Sequence, residues 1–301
     1  MAITAHVLLT YTCPLRCNHC FVYSSPKAQG KFTRQSLNQS LNQIGQTRQI
    51  DTVVFGGGEP FLEYTTLLFG VKKARQMDLR VIIITNGFFA RNHPSGLNIL
   101  RPIAEFGIHE IQVSIDEFHF QGQSDSVGER ALEIAEKLGV NGRRVCVSRQ
   151  IGDPKRIDLS ASDNDRMGTR PLRYFGRAVG LISESQPRYP SRTFTKCPEH
   201  NLTKLEEIYL DPGGVVSVCP GIAIGNLTTS PLSEIIENYP HLNNPILQIL
   251  ISGGPAELAR QFPLSGTDRF TDACHACFLI RKALLAAYPD FLAPKQVYGL
   301  F

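Results

Sequence analysis

The chain of 301 residues has almost no excess charge: 31 basic and 27 acidic side chains leave a formal +4 at pH 7. The basic residues are scattered, so the electrostatic footprint of a nucleic-acid or membrane-surface binder is missing. Long apolar runs are missing as well. The longest, Val81 to Ile84 and Ala283 to Ala287, suit a strand and a helix and fall far short of a bilayer span. There is no internal repeat and no low-complexity tract. The N-terminus lacks the charged start, apolar stretch and small-residue cleavage site of an export signal. These absences predict an unprocessed, cytoplasmic protein. With 42% hydrophobic residues the chain can fill a sizeable core, which excludes disorder as its main state.

What the chain does carry is cysteine. Cys13, Cys17 and Cys20 lie within eight residues near the start; Cys197, Cys219, Cys274 and Cys277 lie in the last third; Cys146 stands alone. Thiols stay reduced in the cytosol, so clustered cysteines there point to metal rather than to disulfides.

Between these sets the first half alternates strand and helix patterns. Strands are predicted at 3–12, 51–55, 79–85, 110–115 and 143–149, and helices at 36–46, 63–76, 97–106 and 126–138. That alternation implies parallel strands with crossover helices, and the polar and glycine residues fall at strand ends, where a β/α barrel builds its site. The pattern breaks at Asp153. A sixth strand is expected at Arg173 to Ala178, followed by a Ser-, Pro- and Arg-rich linker. Leu205 to Leu210, the turn Asp211-Pro212-Gly213-Gly214 and Val215 to Val218 read as a hairpin. Short helices are expected near 231–238, 245–251 and 278–287, the last beginning after Cys277.

The spacing Cys13-x3-Cys17-x2-Cys20 gives three thiolates on one loop, enough for three irons of a 4Fe–4S cube with the fourth left open. A zinc site would want a fourth ligand close by. His19 is at hand, but it adjoins Cys20 and would strain the geometry.

Cys13-Pro-Leu-Arg-Cys17-Asn-His-Cys20 after the first strand resembles the radical SAM superfamily. Gly57-Gly58-Glu59-Pro60 after the second strand, Thr85-Asn86-Gly87 after the third and Ser114-Ile115-Asp116 after the fourth fit the same resemblance, which covers about residues 3 to 178. It implies an α/β fold, a partial (β/α)6 TIM-like barrel. It also implies S-adenosylmethionine on the open iron of the cube and its reductive cleavage to a 5′-deoxyadenosyl radical that abstracts hydrogen from a substrate. Carried over residue by residue, His19 packs near the adenine, and Gly57 and Gly58 admit the methionyl part. Glu59 accepts from the ammonium group, Ser114 meets ribose or carboxylate oxygens, and Arg149 pairs the carboxylate, with Asn86 as a further contact. Asp116 and His119 begin a substrate-facing loop, Asp116 as a ribose or substrate ligand and His119 as a proton carrier. Glu63, Arg170 and Tyr174 are further candidates to reach the substrate.

The C-terminal cysteines, with intervals of 21, 54 and 2 residues around the hairpin, resemble the twitch domain, the shortened form of the SPASM domain. That resemblance implies an α+β unit holding one auxiliary 4Fe–4S cluster, fully ligated by four cysteines and suited to accept an electron. The layout is similar to that of the aminoglycoside-pathway dehydrogenase of 2-deoxy-scyllo-inosamine. A zinc site built from the same four thiolates is the alternative. The organisation expected is therefore a radical SAM barrel at 1–180, a linker at 181–196 and an auxiliary-cluster domain at 197–301. Cys146 is expected to be a buried, inert thiol; a hydrogen-atom donor is the sharper alternative.

The function expected is net oxidation of a small metabolite, with a one-electron donor such as flavodoxin or ferredoxin as partner and no nucleic acid or membrane. A maturase acting on a ribosomally made peptide is the second expectation. The near-immediate start of the first strand, which leaves no room for a leader-binding domain, counts against it. A zinc scaffold without turnover is the reading from another class.

Overall fold

In the computed structural model, which describes residues 2–119, 124–148, 167–239 and 243–300, the first half alternates strand and helix as its pattern predicts. The order is β1 (Ile3–Thr10), α1 (Arg34–Gln46), β2 (Ile50–Gly57), α2 (Tyr64–Gln76), β3 (Arg80–Thr85), α3 (His93–Glu105), β4 (Glu110–Ser114), α4 (Ser124–Lys137), β5 (Gly142–Ser148) and β6 (Met167–Pro171). Then come β7 (Tyr189–Pro190), β8 (Glu207–Leu210), β9 (Val215–Cys219), β10 (Ile222–Asn226), α5 (Leu232–Glu237), α6 (Pro245–Gln261), β11 (Arg269–Phe270) and α7 (Ala273–Ala283).

Local chemistry sets these elements. Thr33 caps α1 through a reciprocal pair of bonds with Ser36 at 3.0 Å each, while Leu37, Leu41 and Ile44 repeat at helical spacing and are buried against the sheet. In β1 the residues Ala5, Val7 and Leu9 are fully buried, and β3 buries Val81 and Ile83 in the same way. These alternate positions share the face that the crossover helices cover, as in a parallel sheet.

One nine-stranded sheet runs β10-β9-β8-β1-β2-β3-β4-β5-β6. Strands β1 to β6 pair in parallel, as a partial TIM-like barrel does. The hairpin β8–β9 forms where expected, and β8 pairs parallel to β1 through Thr4–Val7 and Glu207–Leu210. The sheet therefore runs unbroken across the expected linker. Strands β7 and β11 form a separate two-stranded pair. Residues from both ends of the chain share one apolar core, from Ile3 to Tyr298.

Several elements differ from the pattern: α6 runs on to Gln261, and β7, β10 and β11 are not expected from it. The sixth strand is Met167–Pro171, not Arg173 to Ala178. Gly176 takes a positive φ of 60°, which turns the chain into a 3-10 segment at Gly176–Leu181. Helix α7 begins at Ala273, so Cys274 and Cys277 lie inside its first turns rather than ahead of it. Asp272 caps it by accepting from His275 N at 2.7 Å. No helix of the described residues is long and apolar enough to cross a membrane.

Candidate active site and metal centres

The loop that carries Cys13, Cys17 and Cys20 leaves the carboxyl end of β1, and the ends of β2, β3 and β4 close around it. Burial pushes the Cys13 thiol up to about 12. A thiolate there needs a positive partner, and a metal supplies one. Backbone amides already point at the sulfurs: Leu15 N lies 3.4 Å from Cys13 Sγ and Ser24 N lies 3.3 Å from Cys20 Sγ. Asn86 adds its side-chain amide, with Nδ2 at 3.5 Å from Cys13 Sγ. Donors converging on sulfur fit a thiolate-bound iron–sulfur centre, whose charge they offset.

Gly57 and Gly58 sit against the strand that leads into this loop. Gly58 N donates to Thr10 O at 2.6 Å and Glu59 N to Thr12 O at 3.0 Å. A Cβ on Gly58 would stand 2.2 Å from Thr12 O, so no other residue fits. The pair is thus fixed by backbone approaching backbone, not by ligand clearance alone. Glu59 sits at the centre of a hydrogen-bond network at these strand ends. Its carboxylate is fully buried and accepts from Thr85 Oγ1 at 2.8 Å, Asn86 N at 2.9 Å and Phe61 N at 3.1 Å. Those bonds tie the end of β2 to the end of β3. Burial raises it to about 7 although those three donors pull the other way.

Asp116 and His119 form a pair, Nδ1 to Oδ1 at 2.7 Å. Burial works against charge on His119, but its bonds to Asp116 and Cys17 prevail and raise it to about 9. Burial likewise opposes the Asp116 carboxylate, and the His119 bond outweighs it, lowering the value. His19 packs its ring 4.7 Å from Phe118 and edge-on to His119 at 5.1 Å. Burial and the neighbouring His119 lower it to about 4, and its buried Nδ1 has no partner. His19, Asp116 and His119 therefore gather within 4.8 Å, beside the cysteine loop. Ser114 ends β4, paired with Val145. Arg149 lies outside the described residues.

Three further expectations change. Glu63 pairs with Lys31 at 3.1 Å. Tyr174 is buried with Leu172 and Ala178, and its backbone N donates to Asp272 at 3.1 Å. Neither side chain is presented as a substrate contact. Cys146 is partly exposed on β5 rather than sealed in the core.

Sequence reasoning also missed the clamp on the cysteine loop. Arg177 Nε donates to Cys17 O at 2.9 Å and its Nη2 to Ser24 O, while its backbone N donates to Cys20 O at 3.1 Å. Gln296 Nε2 adds a bond to Val22 O at 3.0 Å. A glycine followed by arginine, Gly176-Arg177, was the available signal; a Cβ on Gly176 would stand 2.6 Å from Phe21 Cα.

The C-terminal set converges. Cys197, Cys219, Cys274 and Cys277 line one cavity of about 200 Å³, whose wall also includes Arg170, His200, Arg281 and Phe21. Phe21 adjoins Cys20, so the cavity abuts the first cysteine loop. Burial pushes Cys197 up to about 11 and raises Cys274 and Cys277. Cys219 goes the other way: burial opposes its charge, but the His200 bond prevails. His200 is held in turn by Glu207, Nδ1 to Oε1 at 2.9 Å. Four thiols lining one cavity suit a fully ligated cubane, and the same thiol count suits tetrahedral zinc.

The fold is similar to that of BtrN, solved in complex with AdoMet and 2-DOIA, with a TM-score of 0.52 at 16% identity over 85% of this chain and 90% of that one. Among curated proteins of Bacillus subtilis (strain 168), YydG, named for peptide biosynthesis, is 22% identical over 134 residues, 44% of this chain and 42% of its own length. AlbA, named for biosynthesis of the antilisterial bacteriocin subtilosin, is 23% identical over 224 residues, 69% of this chain and 48% of its own length. The chain thus spans less than half of each curated relative it matches. Residues 7–158, just over half of the chain, match the Radical SAM superfamily, and they hold the three-cysteine loop and the β2 to β4 strand ends described above. The chain belongs to the radical SAM superfamily.

Proposed function

We propose that the chain oxidises a substrate C–H by two electrons, using S-adenosylmethionine at the first cysteine set and an auxiliary iron–sulfur centre at the second. The observation that carries this reading is the convergence of Cys197, Cys219, Cys274 and Cys277 on a cavity that abuts the Cys13–Cys20 loop through Phe21. When bound, the first centre with its nucleotide supplies homolytic bond cleavage and hydrogen abstraction, and the second supplies an electron acceptor.

The chain's own residues bind and orient. Cys13, Cys17 and Cys20 would hold the first cube; Asn86 donates to Cys13, and Arg177 and Gln296 fix the loop. Asp116 holds the proton on His119 Nδ1, which makes that histidine a poised acid at the loop rim. His19, Gly57, Gly58 and Ser114 surround the position for the nucleotide. An external one-electron donor such as flavodoxin or ferredoxin, in a reducing cytoplasm, completes the scheme.

Replacing Cys13, Cys17 and Cys20 together by alanine is expected to abolish formation of 5′-deoxyadenosine under dithionite. Undiminished cleavage in that variant would refute the reading. The substrate expected from the sequence is a small metabolite. One observation favours a peptide instead: one curated relative is named for peptide biosynthesis and the other for biosynthesis of a bacteriocin. Co-expression with a short reading frame encoded beside the chain decides between them; loss of two hydrogens from that peptide supports the second reading. Iron without zinc in the isolated protein excludes a zinc scaffold.

A further inference from the structure

The auxiliary cavity contains a cation without a carboxylate. Arg281, on α7 one turn beyond Cys277, is 2% exposed and among the largest fully buried side chains. Its Nη1 donates to Pro220 O at 3.1 Å and to Tyr298 Oη at 3.2 Å, both neutral acceptors. Its Nε is buried with no partner. No Asp or Glu pairs with it among the described residues. The contrast with Arg173 is instructive, because that guanidinium is also buried near the cysteines but is matched by Glu199.

Burying an unpaired guanidinium costs several kcal/mol, so folded proteins supply such a group with an anion. The anions within reach here are sulfurs. Arg281 lines the same cavity as Cys277 and Cys219, and its Nη1 sits on the carbonyl of Pro220, next in sequence to Cys219. Arginine cannot lose its proton to escape the cost. A cysteine-ligated centre in that cavity would supply the missing negative charge.

We propose that Arg281 is the built-in counter-ion of the auxiliary centre and sets its reduction potential. The inference rests on the reading of that centre as a cysteine-ligated iron–sulfur cube. A cube gains one negative charge on taking up one electron. A fixed positive charge in a dry cavity stabilises the reduced form more than the oxidised form. Arg281 thus favours electron uptake and acts as a positioning residue that does not touch substrate. Tyr298 holds it in place: its hydroxyl meets the guanidinium and donates to Gly221 O at 2.6 Å.

The test uses the full chain with Cys13, Cys17 and Cys20 replaced by alanine, so that only the auxiliary centre reports. Iron and sulfide are counted, and the centre is titrated with dithionite and mediators under paramagnetic resonance. If the parent holds no cube, with about four irons expected, the underlying reading fails and the inference with it. If the parent holds one, Arg281→Gln and Arg281→Met are expected to shift the oxidised-to-reduced ratio at least tenfold toward oxidised. That corresponds to a midpoint about 59 mV more negative for one electron. Arg281→Lys, which keeps the charge, is expected to stay within that interval of the parent. Equal midpoints in the lysine and glutamine variants overturn the proposal while leaving the centre itself intact. Should the uncharged variants fail to retain the cube, retention by Arg281→Lys supports a charge requirement. Loss in the lysine variant as well assigns Arg281 a purely structural role and overturns it.

Discussion

Asn86 Nδ2 donates to Cys13 Sγ at 3.5 Å, while the Asn86 backbone N is held by Glu59 Oε2 at 2.9 Å. The end of β3 therefore meets the sulfur beyond β1 directly, and a carboxylate after β2 holds it there. The Asn86 Oδ1 also caps Phe88 N at 2.9 Å, so the side chain has separable duties. Asn86→Asp keeps the cap acceptor and removes the donor to sulfur. It is expected to slow 5′-deoxyadenosine formation by about tenfold or more, the usual effect of losing a partner behind a metal ligand. Chromatographic quantitation of 5′-deoxyadenosine checks this; an unchanged rate would show that the contact contributes nothing to the centre.

The auxiliary cysteines separate from the first set by function. Cys274→Ala with Cys277→Ala is expected to lower iron from about eight to about four per chain. The double variant should spare nucleotide cleavage more than product formation. Assays of 5′-deoxyadenosine and oxidised product in the same reaction measure the ratio. Equal losses in both would remove the electron-acceptor role.

Glu59 predicts a pH signature. Its folded value of about 7 lies above the ordinary 4.5. A carboxyl raised in this way contributes its full stability below 4.5 and loses it as pH rises through 7. Glu59→Gln has nothing to ionise and escapes that loss. Between about pH 5 and 8 the variant should gain on the wild type by a difference of the order of 3 kcal/mol. Urea unfolding of the reduced, metal-free chains across that range gives the curves; parallel curves contradict the prediction.

Arg177→Ala removes two charge-assisted bonds from the cysteine loop, to Cys17 O and Ser24 O. A loss of about 2–3 kcal/mol is expected in the metal-free chain, together with faster amide exchange at residues 17 to 24. Exchange measured by mass spectrometry tests the second part directly, and unaltered protection there would show that Gln296 suffices to hold the loop.

The sequence made the barrel legible because β1 to β4 bury at least one face with regularly placed apolar residues and end in glycine and polar residues. The cysteine sets were legible because metal ligands need a fixed residue type at a fixed spacing. The sixth strand was not legible. Met167–Pro171 is short and mixed in character, whereas Arg173 to Ala178 carries aromatics that pack without pairing. Arg177 and Arg281 look like ordinary surface arginines in the sequence. Their partners are a carbonyl 160 residues away and another 61 residues away, and no local pattern encodes such contacts.

β1 is flanked by β2 on one side and by β8 on the other. A chain cut ahead of Leu205 would strip that second flank and leave the β8-facing amides and carbonyls of Thr4 to Val7 without mates. Such bare rims recruit strands from other molecules. The terminal third is therefore a guard against polymerisation of the barrel half, and attempts to express that half by itself should yield aggregates rather than a smaller enzyme.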